Sequence, residues 1–110
     1  MSEERLERAK SAVEAADHIP AETKTELLSM LSKIKPAVVK IAQTYEEDAR
    51  SIARMVEAST HEAMRKNKRP DLLQTVLRGL RQSVERFESS HPGLVASVNQ
   101  YSGFLSEMGL

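Results

Sequence analysis

The side chains able to do chemistry are few, and their spacing decides what each can do. Each of the three histidines has a glutamate nearby: Glu14 with His18, Glu57 with His61, and Glu88 with His91. The first two pairs are spaced i, i+4, which suits a helix-surface ion pair worth a few tenths of a kcal/mol. Glu88-Ser89-Ser90-His91 has instead the Glu-x-x-His spacing of carboxylate-bridged di-metal bundles. Such a bundle needs two of these motifs and further inward carboxylates, whereas this chain has one, placed at a helix break. Cysteine is absent, which excludes disulfides, thiolate catalysis and cysteine-based zinc sites together. The serines form no Gly-x-Ser-x-Gly elbow, and there is no glycine-rich phosphate loop. Glu46-Glu47-Asp48 shares a segment with Arg50 and Arg54 and reads as helix-surface pairing. No catalytic residue, cofactor site or metal ligand is assigned, and no enzymatic activity is expected.

Arg65, Lys66, Lys68 and Arg69 form the most concentrated charge, a basic turn able to touch phosphates or anionic lipid headgroups. It lacks interleaved aromatics for stacking and has no recognition-helix pattern beside it. A solvated loop is therefore the first reading and nucleic-acid or anionic-surface binding the alternative, with a metal-binding bundle as the second alternative. Sixteen basic against sixteen acidic residues leave no net field to draw the whole chain toward a polyanion. The charge is nonetheless uneven: residues 1–62 hold twelve acids and nine bases, residues 63–110 four acids and seven bases. The two halves attract each other, or the opposite half of a second copy.

The elements that position these groups are helices. Helical spacing of apolar residues recurs throughout, while sustained alternation and Asn-Gly or Asp-Gly hairpin turns are missing. A first helix over residues 3–16 presents a narrow, alanine-rich stripe of Leu6, Ala9, Ala12, Val13 and Ala16. A second, over 20–35, carries Leu27, Leu28, Met30, Leu31 and Ile34. A third, over 37–64, holds Val38, Ala42, Tyr45, Ala49, Ile52, Val56, Ser59 and Ala63 at alternating steps of four and three, a coiled-coil-like heptad seam. Pro20, Pro36, Pro70 and Pro92 each suit a first helical turn. At Pro36, however, the apolar phase favours a kinked continuation, which gives a helical arm over 20–64 roughly 67 Å long. The third helix alone is roughly 42 Å long, whereas a compact domain of this size is roughly 34 Å across.

Residues 65–71 form the turn. A fourth helix over 71–89 shows Leu73, Val76, Leu77, Leu80, Val84 and Phe87, with Gly79 in its middle. A fifth over 93–107 shows Leu94, Val98, Tyr101 and Leu105, with Gly109 suited to follow its end. Phe87, Glu88, His91 and Pro92 make the corner between them. Pro92 forces His91 extended, and Glu88 can reach His91 or the free N–H groups of the next helix.

Phe87-Glu88-Ser89-Ser90-His91-Pro92-Gly93-Leu94, followed by the closing Leu105-Ser106-Glu107-Met108-Gly109-Leu110, resembles a family of short bacterial proteins of unknown function. Its members carry F-E-x-x-H-P-x-L, a last helix, and a closing L-x-x-M-G-aliphatic. Residues 22–34 also look like that family's N-terminal helical segment, and 36–68 like an enlargement of its middle. The resemblance brings no activity with it.

The expected molecule is thus a single all-α domain of four to five helices over residues 1–110, an elongated antiparallel hairpin or bundle. Its parts are a weak helix over 1–16, the arm 20–64, the basic turn 65–71 and a helix pair over 72–109. Val38, Ala42, Tyr45, Ala49, Ile52 and Val56 exceed what one subunit of that shape can cover, so a homodimer through this seam is the expected partnership. The longest apolar runs are four or five residues, far short of the roughly 20 that span a bilayer. The acidic start at Glu3 and Glu4 lacks a secretory leader's pattern, so a cytoplasmic protein is expected.

Overall fold

The computed structural model describes residues 2–108. Gly109, expected to follow the last helix, and Leu110, the end of the closing motif, lie outside the described residues. The elements are α1 (Ser2–Ala15), α2 (Ala21–Ala42), α3 (Glu46–Ala63), α4 (Pro70–Val84), a single 3₁₀ turn (Glu85–Phe87) and α5 (Pro92–Met108). The protein is an all-α bundle. No helix among the described residues is long and apolar enough to cross a membrane.

The prolines behave in three ways. Pro70 and Pro92 open α4 and α5, where a missing N–H costs nothing, and Pro20 stands just before α2. Pro36 lies inside α2 and the helix runs through it. Pro36 and Ser32, whose carbonyl loses its helical donor, are both exposed, so the unpaired carbonyl lies on the solvent side of the helix.

The continuous arm over 20–64 is corrected. The chain leaves the helix at residues 43–45, where the Tyr45 N–H donates to the Ile41 carbonyl at 2.6 Å and Tyr45 adopts φ −125°, ψ 66°. Glu46, Glu47 and Asp48 then occupy the first turn of α3, where their charge opposes the positive end of the helix dipole. These acids, read above as surface pairing, mark a helix start, although Glu46 does also accept from Arg50 at 3.0 Å. Breaking there lets α3 fold back on α2, so the two apolar faces cover each other. The result measures 38 × 23 × 20 Å, far short of a 67 Å rod.

The bundle is built around α3, which packs against all four other helices. Along the chain the helices alternate in direction. Lys35 of α2 reaches Glu7 early in α1, Lys24 reaches Glu14 late in α1, and Ser106 near the end of α5 meets Gln74 near the start of α4. The core is aliphatic, with Tyr101 and Phe87 its largest fully buried side chains.

Candidate functional site

The seam comes first, because the expected partnership rests on it. Val38, Ala49, Ile52 and Val56 are wholly buried within the one chain, as is Ala63 further along. Ala42 and Tyr45, at the break, are half-buried and pack on the same core. The expectation that a second copy must cover this seam is therefore corrected. The heptad spacing arises because α3 is the central helix, and its own neighbours fill the holes that a coiled-coil partner would otherwise fill.

The basic turn is exposed from Arg65 to Arg69, yet three of its four cations are engaged at helix ends. The Lys68 ammonium donates to the Ala63 carbonyl (3.2 Å) and the Met108 carbonyl (3.3 Å). It thus caps the C-terminal ends of α3 and α5 together, where the helix dipoles favour a cation. Arg65 and Arg69 lie 3.6 and 3.8 Å from Glu62. Only Lys66 has no such contact among the described residues. Capping is the evident physical work of Lys68, and Glu62 is the one carboxylate set against Arg65 and Arg69.

At the corner, Phe87 is buried and meets two rings edge-on: Tyr45 at 5.2 Å and His91 at 5.8 Å between centroids. Arg86 covers both the Tyr45 and Phe87 rings at 5.0 and 5.2 Å and bonds Asp48 at 3.0 Å. The structure thereby joins two groups kept apart in the sequence reading, the α2–α3 break and the α4–α5 corner. Glu88 is exposed and takes neither expected role. His91 is held instead by its N–H to the Phe87 carbonyl (2.7 Å) and by Ser90 Oγ at Nδ1 (3.0 Å). Pro92 opens α5 beside it.

Of the histidine–glutamate pairs, Glu57–His61 lies at 3.8 Å, whereas His18 faces Asp17 rather than Glu14. No group of three or more His, Asp or Glu that could hold a metal ion occurs among the described residues. Glu57 is occupied mainly by α1, accepting from Arg5 at 3.0 Å and Arg8 at 2.8 Å. Burial alone would raise its carboxyl pKa, but the bonds from Arg8 and Arg5 outweigh that and hold it below the usual carboxylate value.

Two features escaped the sequence reading. The first is a polar knot in the core. The Tyr101 hydroxyl is fully buried, 2.6 Å from Ser59 Oγ and 2.7 Å from Thr60 Oγ1, and donates to the Val56 carbonyl at 3.0 Å. Burial pushes this phenol far above its ordinary range, so it stays protonated and serves as a hydrogen-bonding pin, not a base. The signal was a serine at a seam position and a tyrosine on an apolar face, since buried hydroxyls need partners. The second is the outward side of α5. Glu107 is the helix's one charged residue, whereas α1 carries seven in fourteen. Gly93, Ala96, Gln100 and Gly103 are exposed there at helical spacing.

No family model, curated protein or solved structure matches the chain.

Proposed function

We propose that this chain is a non-enzymatic helical interaction protein that associates with a second copy of itself through the outward side of α5. The observation that carries the reading is the neutrality of that surface in a chain whose residues are 29% charged. From Pro92 to Ser106 no side chain is ionisable except the wholly buried Tyr101, and the exposed row Gly93, Ala96, Gln100, Gly103 is mostly small. A neutral row of short side chains lets a second helix approach closely without stranding a buried charge.

The arrangement also suits twofold pairing. An antiparallel crossing centred on Gln100 places Glu107 of each copy beside Gly93 of the other. There Glu107 meets the positive end of the α5 dipole, with Lys33 and Lys40 lining the same groove as Gly93. This interface uses a different surface from the α3 seam, which the chain fills by itself. Sedimentation equilibrium at high micromolar concentration tests it. The native chain is expected to approach twice its 12.3 kDa mass, and Ala96→Arg to stay monomeric with unchanged far-ultraviolet circular dichroism. A native chain that remains monomeric near millimolar concentration overturns the proposal.

A further inference from the structure

We propose that α1 is a releasable strap, opening from α2 and α3 as a unit while the other four helices stay folded. It packs on α2 and α3 alone among the helices. Its fully buried side chains are Leu6, Ala9 and Val13, of which only Leu6 and Val13 are large. Glu57, which the α1 arginines reach, shares an i+4 row of α3 with the buried Ala49 and Ala53, again short side chains. Small residues bury few methylenes, so the apolar hold on this helix is slight compared with that among α3, α4 and α5. That remaining body shares Leu77, Leu80, Phe87, Leu94, Tyr101 and Leu105, all essentially inaccessible.

Polar contacts at the rim supply the rest of the hold. Glu57 accepts from Arg5 and Arg8, Lys35 donates to Glu7 at 2.6 Å, and Lys24 donates to the Glu14 carbonyl at 3.0 Å. His61 on α3 and Glu3, Glu4 and Lys10 on α1 are other charged or titratable groups facing these pairs. The Arg8 and Glu7 side chains are half exposed, so dissolved salt screens the clasp. Opening would uncover an apolar strip of α3 edged by Glu57. Segments with few apolar contacts and solvent-facing bonds are the ones that open locally.

Native-state hydrogen exchange followed by NMR tests this on the whole chain. Amides of residues 6–15 are expected to exchange through a partial opening at least tenfold more populated than that releasing α3. Raising sodium chloride from 50 to 500 mM is expected to increase the α1 opening. Glu57→Gln is expected to raise it about tenfold, and to raise the global opening that exposes α4 and α5 by the same factor, because both openings break the same charge-assisted bonds. Leu80→Ala, by contrast, is expected to lower the protection of α3, α4 and α5 while leaving the α1 opening unchanged, because Leu80 stays packed when α1 is open. Exchange of α1 at the same rate-corrected level as α3, or a loss of α1 protection in Leu80→Ala as large as that in α4 and α5, overturns the proposal.

Discussion

Replacing Tyr101 with Phe removes one oxygen atom and nothing else from the largest buried side chain. The hydroxyl has three close neighbours, Ser59 Oγ, Thr60 Oγ1 and the Val56 carbonyl, and no access to water. Without the phenol oxygen, the single protons of Ser59 and Thr60 can both be given to the Val56 carbonyl, 3.0 and 2.9 Å away, so neither hydroxyl is left wholly unpaired. The loss is therefore nearer that of one or two neutral bonds than three, about 1–2 kcal/mol. That corresponds to a fall in Tm of about 4–8 °C for a chain of this size. Urea unfolding followed by circular dichroism reads it as a lower midpoint with unchanged slope. The triple variant Ser59→Ala, Thr60→Val, Tyr101→Phe is expected to cost less than the sum of the three single changes, since each shared bond is counted in two of the singles. A Tyr101→Phe midpoint at or above the native one, or strict additivity in the triple variant, refutes the account of this knot.

Four further outcomes follow from other contacts. Ser102 Oγ is buried without a partner among the described residues, so Ser102→Ala should leave stability unchanged or raise it by up to about 1 kcal/mol, which a urea midpoint checks. At Gly79 an added Cβ meets only Met55 Sδ, at 3.4 Å and on a flexible side chain; Gly79→Ala should stabilise by about 0.5–1 kcal/mol, and a lower Tm would refute this. Lys68→Met should lower stability by about 0.5–1 kcal/mol while Lys66→Met has no effect, a contrast that vanishes if Lys68 is not capping α3 and α5. Glu57 titrates below its ordinary value of 4.5 in the folded chain, so its contribution is complete above that value and fades as pH falls through the lower folded pKa. Glu57→Gln should therefore weaken the protein at pH 7 and flatten its loss of stability in acid; parallel stability–pH curves would count against the Arg5–Glu57–Arg8 clasp.

Much of the fold was legible because helix formation depends on local spacing. The apolar stripes of Leu6–Ala9–Val13, Leu27–Leu31–Ile34 and Leu73–Leu77–Leu80 are all buried as their periodicity implies. The α2–α3 break was missed because the heptad phase runs unbroken across residues 43–45, so periodicity alone does not register it. The acids Glu46, Glu47 and Asp48 were the only local sign, and the same residues satisfy an i, i+4 pairing rule. Similarly, Lys68 reads as one cation of a basic run until α5 brings the Met108 carbonyl to it from 40 residues away.

By itself the sequence determined that this is a cysteine-free, all-helical chain with aliphatic cores, proline-marked starts for α4 and α5, and no assembled motif for catalysis. Spacing over a few residues and the inventory of side chains are enough for that, since both act locally. Tertiary structure alone decided which apolar face covers which. It folded α3 into the centre, paired Tyr45 with Phe87, seated Tyr101 on Ser59 and Thr60, and left the neutral side of α5 outside. An apolar stripe specifies that it must be buried but not against what, and that choice depends on contacts between residues far apart in the chain.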